Sequence, residues 1–317
     1  MRPIAEIPEA AQHCARLSVV IPTYNREEAL ILCLSHLEAQ TVNDFEVIIV
    51  DDGSTDGTPG RLKQFMAVSP LRICSVRQEN AGPARARNTA IVMAKSPICV
   101  IIGDDIFGSP QFLETHLNFH QANPSVQDAA VGLTRWSLDG QEVTPFMRWL
   151  DEGGVQFSYG ELLDGADASW KHFYTSNVSI KTELLLKEPF FEGFEGYGME
   201  DIELGYRLEH TYGLRLHFLP EALAYHLHPT GLRQSCRRAY MVGKSTYVFH
   251  RRWPEQKPKP GQSFRTKVRD VLCRNTWLIA PLTTAAEQLT RFWCPKPLLK
   301  FLLHYCFAAG YKSGEKR

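Results

Sequence analysis

The sequence predicts an α/β protein: a mostly parallel central sheet covered by flanking helices, followed by a helical C-terminal extension. Three observations predict it. Short apolar runs alternate with stretches of helical apolar spacing over the first ~120 residues, the pattern of a doubly covered parallel sheet. Polar tips follow three of those runs, at the strand ends where open α/β sheets bind ligands. With 44% apolar residues, the 317-residue chain can bury a sizeable core.

LSVVIP (17–22) is a β-rich run closed by proline and reads as a buried strand. REEALILCLSHLEAQ (26–40) has apolar residues at helical spacing. FEVIIV (45–50) is a second strand, cut off by DDGSTDG, and TPGRLKQFM follows as a short helix. LRICSV (71–76) is a third strand. PARARNTAIVMA (83–94) reads as a helix with proline in its first turn. ICVII (98–102) is a fourth strand, ending in GDD, and SPQFLETHLNFHQAN (109–123) is a helix opened by serine.

Residues 125–195 are irregular and rich in Gly, Trp and Phe, which suggests long loops and short strands. MEDIELGYRLEHTY (199–212) returns to helical spacing. The charged, proline-rich HRRWPEQKPKPGQ (250–262) marks a boundary before a helical tail, 263–317. The chain thus divides into a lead (1–16), a ligand-binding half (17–110), a second half (111–250) and a linker with helical tail (251–317).

Lys plus Arg equals Asp plus Glu at 35 each, so no global field draws the chain to nucleic acid. None of the eight cysteines forms a C-x-x-C pair, which argues against structural zinc and for reduced, buried thiols in a cytoplasmic setting. The first sixteen residues lack the apolar stretch of a signal peptide, and no run reaches the ~18–20 apolar residues of a membrane span.

Four patches carry chemistry. In the first, two strands end in polar tips, VVIPTYNR (19–26) and VIIVDDGSTDG (47–57). Asp51 and Asp52 stand where a strand stops and can accept hydrogen bonds from a nucleobase imide and ribose hydroxyls. DGSTDG partly mimics a calcium loop, but its twelfth position is Lys63, where that loop needs Glu, and a strand precedes it. The second patch, NAGPARARNTA (80–90), opens a helix, and a helix N-terminus with cations suits an anion. Arg85 and Arg87 are two apart and cannot share a face, so one points inward; Arg87 is preferred.

The third patch is GDDIF (103–107), an acidic pair directly after an apolar strand. Asp104 and Asp105 can hold Mg²⁺ or Mn²⁺ there, with a diphosphate supplying other oxygens. In the fourth, FEGYGMEDIELGYRL (194–208), Glu200 and Asp201 open a helix whose dipole favours their ionised forms, as a general base for a hydroxyl requires. Glu203 and Arg207, one turn apart, are expected to pair. AYHLHP (224–229) places His226 and His228 two apart in an extended segment. They are therefore expected to point to opposite sides, one toward the metal and one into packing.

PTYNR, VDDGSTDG, GPARARN, the acidic pair after the fourth strand and GYGMEDIEL, in this order, resemble the inverting family 2 glycosyltransferases over roughly residues 17 to 250. The resemblance implies a GT-A fold, with a Rossmann-like, mostly parallel sheet. It implies that Pro22, Thr23, Asp51 and Asp52 hold the base and ribose of a nucleotide-sugar donor, UDP being preferred, and that Arg87 and Asp104 approach the nucleotide. Asp104 and Asp105 are similar to the family's D-x-D element, although here it reads GDD; Asp105 is preferred as metal ligand. Asp201 is similar to the family's base, with Glu200 helping to hold the acceptor. The Y-H-L-H stretch is similar to the segment that supplies a histidine to the metal in related enzymes.

The implied activity is metal-assisted single displacement onto an acceptor hydroxyl, in synthesis of a polysaccharide, glycolipid or related glycoconjugate. QSCRR (234–238) partly matches the Q-x-x-R-W motif of processive members but lacks the tryptophan, which favours a non-processive transferase. A nucleotidyltransferase would need a Gly-rich phosphate loop where PTYNREE stands, and a non-catalytic binding protein has no need of both acidic pairs. The tail's PKPLLKFLLHYCFAAGYKSGEKR, with an apolar stretch over 297–311, suits packing on the core, peripheral contact with a membrane surface, or a partner.

Overall fold

The fold is described from a computed structural model that covers residues 15–152, 157, 159–163, 167–194, 198–257, 283–284, 286–287, 290 and 294–315. Its centre is an eight-stranded sheet in the order β3-β2-β1-β4-β7-β6-β8-β5. The first four strands are those expected: β1 (Leu17–Thr23), β2 (Phe45–Asp51), β3 (Arg72–Arg77) and β4 (Ile98–Ile102), all parallel to one another. Their helices are α1 (Glu27–Glu38), α2 (Thr58–Met66) and α3 (Pro83–Met93). A parallel strand needs a crossover of a dozen or more residues to return, which the alternating helices supply.

Burial of both sheet faces explains the near-continuous Val/Ile runs. Alternation sends Val19, Ile21, Val47 and Ile49 to one face, against Leu30, Leu34 and Leu37 of α1 and Phe112, Leu113 and Leu117 of α4 (Phe112–Ala122). Val20, Ile48 and Val50 face the other way, against Ala86, Ala90 and Ile91 of α3 and Leu204 and Leu208 of α8 (Glu200–Tyr212).

The second half is more ordered than its composition suggested. Within 125–195 lie β6 (Asp128–Trp136), β7 (Asn177–Lys181), α5 (Pro145–Glu152), α6 (Tyr159–Leu163) and α7 (Thr182–Lys187). Two more strands join the sheet, β5 (Ile106–Gly108) and the twelve-residue β8 (Arg215–His226). β7 runs antiparallel between β4 and β6, β8 is parallel to β6, and β5 is antiparallel to β8. The sheet is therefore mixed, with the parallel pairs in the majority.

The long α9 (Leu232–Arg252) was not apparent in the sequence, and the expected boundary at 250–262 begins at its end. Of the tail, α10 (Lys296–Glu315) is helical as expected, while 258–282 lies outside the described residues. α10 runs alongside α9, with Gly310 against the Tyr240 carbonyl and Gly243 against that of Phe307. Leu299, Leu302 and Leu303 are buried with Phe146, Trp149 and Leu232, so the apolar side of 297–311 packs on the core. No described helix is long and apolar enough to cross a membrane.

Candidate active site

The site is built at the C-terminal ends of β1, β2 and β4. β1 closes with Pro22 and Thr23, and the Thr23 hydroxyl donates to Asp104 Oδ2 at 2.7 Å. Asp104 is thereby turned toward β1. Burial, then the neighbouring Asp105 charge, pushes its carboxyl up to about 7. At the end of β2, Asp51 Oδ1 accepts from the Ser54 N–H at 2.8 Å. Asp51 Oδ2 is buried without a hydrogen bond and has only the Arg77 guanidinium 3.5 Å away.

Asp52 has a different environment. Its Oδ1 accepts from Gln78 Nε2 and the Ala81 N–H at 2.7 and 2.9 Å, and its Oδ2 from the Gly82 N–H at 2.8 Å. Both oxygens are engaged within the protein, and they anchor the turn that leads into α3. Gly53 makes this approach feasible: its φ is +82°, and a Cβ there would lie 2.9 Å from the Asn80 nitrogen. Asp52, expected at the nucleotide, thus also holds the 78–82 turn, whereas Asp51 Oδ2 makes no hydrogen bond and has Arg77 beside it.

Asp105 faces the opposite way from Asp104, toward the end of β8. Its Oδ2 lies 3.3 Å from both His226 Nε2 and His228 Nδ1. Among the described residues, these three form the one group with ligand atoms close enough to hold a metal, all within 4.8 Å of one another. Asp104 is outside that group. One expectation needs correction: the two histidines do not point to opposite sides. β8 ends at His226, so strand alternation does not reach His228, and the Leu227 N–H bonds back to the Asp105 carbonyl. The two rings stack 5.2 Å apart, and Trp136 stacks on the other side of His226 at 5.2 Å. The Arg26 guanidinium completes the cluster, 3.2 Å from Asp105 Oδ2. Burial opposes the Asp105 charge, but His226, His228 and Arg26 outweigh it and hold the carboxyl well below the usual range.

The second acidic pair sits at the N-terminus of α8. Gly198 (φ +92°) and Met199 (φ +77°) both adopt positive φ to deliver it; Met199 does so as a non-glycine, a strained conformation of the kind that gathers at functional sites. Gly196 lies outside the described residues. Glu200 pairs with Arg87 at 3.0 Å, both buried, while Arg85 is exposed as expected. Asp201 Oδ1 accepts from the Ile202 N–H at 2.8 Å, and the Thr175 backbone also bonds the carboxylate. Burial, then Glu200, pushes Asp201 up to about 6, with Arg87 opposing. Glu203 pairs with Arg207 as expected, and also accepts from Arg252 of α9.

Strand register relates the two pairs. Ile102, two residues before Asp104, sits opposite Asn177, two residues after Thr175. Asp104 and the backbone that bonds Asp201 therefore stand at one end of neighbouring strands. Four buried polar atoms of the residues described above make no hydrogen bond: Asp51 Oδ2, Arg87 Nε, Glu200 Oε2 and His226 Nδ1. Buried polar atoms are normally satisfied, so these four point to a ligand. Sequence reasoning assigned no role to Arg26, Trp136, Thr175 or Gln234, whose amide lies 2.9 Å from His228 Nε2. Arg26 stands at the end of the quoted PTYNR, where a cation beside a polar strand tip was a usable signal; nothing in the local pattern marked the other three.

Residues 18–167 match the sequence profile described as Glycosyl transferase family 2. A validoxylamine A glucosyltransferase of Streptomyces hygroscopicus subsp. limoneus is 32% identical over 237 residues, which are 67% of this chain and 51% of that protein. A chondroitin synthase of Escherichia coli is 28% identical over 73% of this chain and 37% of its own length. The chain thus spans about half the length, or less, of these two relatives. In fold it is similar to the mannosyltransferase PcManGT of Pyrobaculum calidifontis, solved with GDP-Man and Mn²⁺, at TM-score 0.63, 22% identity, and 94% and 86% coverage of the two chains. It is also similar to S. aureus TarS solved with UDP, at TM-score 0.52, 16% identity, and 95% and 90% coverage. The profile match over the strands that carry the first three polar patches, the named relatives and the shared fold agree: the chain belongs to glycosyl transferase family 2, with a GT-A fold.

Proposed function

We propose that the chain transfers one sugar from a nucleoside-diphosphate sugar to an acceptor hydroxyl, with inversion at the anomeric carbon. The observation that carries this reading is the placement of two acidic pairs with opposite electrostatics at one sheet edge: Asp105 among cationic and imidazole groups, Asp201 beside a second carboxylate.

In this reading Pro22, Thr23 and Asp51 line the base and ribose, and Asp51 Oδ2, which makes no hydrogen bond within the protein, accepts from the imide of a uracil. Asp52 shapes the neighbouring turn. Arg87 holds Glu200 and offers its unpartnered Nε to the donor or acceptor. Asp201, ionised above about pH 6, takes the acceptor's hydroxyl proton as that oxygen bonds the anomeric carbon. The bond to the departing phosphate oxygen breaks in the same step, and the nucleoside diphosphate leaves with its electron pair. One displacement of this kind inverts the centre.

The residues also fit a divalent cation. A carboxylate and two imidazoles converge, and His226 turns Nε2 to the group while its Nδ1 is an orphan. Nitrogen donors suit Mn²⁺ better than the all-oxygen preference of Mg²⁺. A cation held by Asp105, His226 and His228 would neutralise charge growing on the leaving diphosphate. In this reading β1, β2 and β4 of the first half serve the donor, and the strands of the second half, with β5 beside β8, serve the acceptor on one continuous sheet. We place the activity in polysaccharide, glycolipid or related glycoconjugate synthesis on the cytoplasmic side; the six cysteines described are all free, as that setting favours.

The test is a panel of nucleotide sugars offered with Mn²⁺ and simple acceptors, with the product's anomeric configuration read by NMR. Transfer from a UDP-sugar with inversion is the expected result. Retention of configuration, or release of nucleoside monophosphate instead of diphosphate, would refute the reading.

A further inference from the structure

The long helix α9 presents a separate face to each of three surroundings. Gln234, Val242 and Arg252 turn toward the site: the Gln234 amide lies 2.9 Å from His228 Nε2, a Cβ on Gly198 would lie 3.0 Å from Val242, and Arg252 donates to Glu203 at 2.9 Å. Gly243, Tyr247 and His250 turn toward α10, where Gly243 meets the Phe307 carbonyl and both rings meet Tyr311. The third face holds Arg233, Arg237, Tyr240, Lys244, Val248 and Arg251, which at about 100° per residue fall within about 80° of one another. We propose that this third face docks on the surface of a lipid bilayer that carries anionic headgroups.

Charge is the first argument. The whole chain balances 35 basic against 35 acidic residues, yet α9 contains cations and no acid. The cations are divided by face: Arg252 is spent on the buried Glu203, whereas Arg233, Arg237 and Arg251 are exposed. Arg233 pairs with Glu287 at 3.3 Å, and its side chain is still 68% exposed. A neutral protein with cations gathered along one helix face has a local field that favours an anionic partner there.

Shape decides which partner. A discrete anion asks for cations that converge on one point, but these follow a straight line, roughly 27 Å from Arg233 to Arg251 at about 1.5 Å per residue. The partner is therefore an extended anionic surface. Tyr240 and Val248 stand in the same row, Tyr240 exposed and Val248 half-buried. Cations interleaved with apolar and aromatic groups suit a headgroup layer, which takes both. The 297–311 segment, expected at such a surface, spends its apolar side on the core, and α10 instead supports α9 from behind. Because the site face of α9 adjoins the docked face, a lipid-borne acceptor would meet the cleft from the membrane side.

Co-sedimentation of the full chain with vesicles tests this. Neither donor nor metal is added, so the outcome is independent of the sugar-transfer reading. The chain should bind phosphatidylcholine vesicles that contain phosphatidylglycerol, not phosphatidylcholine alone, and added salt should release it. Each Lys or Arg near an anionic surface strengthens partition about fivefold, so Arg237→Gln with Arg251→Gln should weaken it about 25-fold. Lys63→Gln with Lys187→Gln removes the same charge from exposed positions on α2 and α7 and should leave partition close to wild type. Unchanged melting temperatures would show that both double variants fold. Equal losses in the two variants, or equal binding to both kinds of vesicle, would overturn the proposal. Binding to soluble dextran sulfate but to neither vesicle would assign the face to an anionic polysaccharide and overturn it as well.

Discussion

Asp105 and Asp201 are the same residue type at one sheet edge, yet their surroundings drive them in opposite directions. Asp105 follows a strand, and His226, His228 and Arg26 close around it, so its charge is held well below the usual carboxylate range despite burial. Asp201 opens a helix beside Glu200, and burial with that second charge pushes it up to about 6, against the pull of Arg87. The difference shows how neighbours divide the labour between two carboxylates. One stays charged at every working pH, which suits the cation ligand proposed for it. The other is poised where it can take up and release a proton.

The largest expected effect breaks the comparison at its basic end. Asp201→Asn should cost on the order of 10² to 10⁴ in turnover while leaving nucleoside-diphosphate affinity unchanged by calorimetry. A variant that turns over normally would remove Asp201 from the role of base. Next is Asp105→Ala, which removes the carboxylate proposed as a metal ligand. It should weaken Mn²⁺ binding by about 100-fold and, with it, only the metal-dependent part of donor binding. Loss of metal-independent donor binding as well would mean that Asp105 contacts the donor directly.

The pH profile sharpens the contrast. A base must be ionised to work, so turnover should be full above Asp201's folded value and fall as pH drops through about 6. A flat profile between pH 5 and 7 would contradict this. The smallest effect comes from Glu200→Gln. Removing a like charge lowers the neighbouring pKa, so the acid limb should move down by about one unit. An upward move would show that Glu200 supports the Asp201 charge instead of opposing it.

The first half was largely legible in the sequence, because its strands are buried on both faces and write uninterrupted Val/Ile runs: LSVVIP, FEVIIV and ICVII each became a strand. Helical spacing also showed that only one of Arg85 and Arg87 turns inward, and Arg87, the one preferred, is buried against Glu200, while Asp105, preferred as metal ligand, stands beside His226 and His228. The second half resisted for identifiable reasons. β6 reads DAAVGLTRW, with small, glycine and polar positions, and β8 carries Pro220 and Glu221 mid-strand, so neither shows a clean period. α9 contains six Lys and Arg and no acid, and it buries a short list of residues between α8 and α10, so its apolar stripe is faint. His228 was misplaced because the alternation rule was carried past the last residue of a strand. Gln234 was unreadable as a partner because its contact spans a loop whose path only tertiary structure sets.

The central claim is that acids distant in sequence line one cleft with separate tasks. A crystal structure with UDP and Mn²⁺ tests it most directly. Anomalous density for manganese should lie between Asp105, His226 and His228 and touch the diphosphate, with the Asp201 carboxylate facing the open space beyond the terminal phosphate. Manganese bound elsewhere, or Asp201 turned away from the diphosphate, would contradict it.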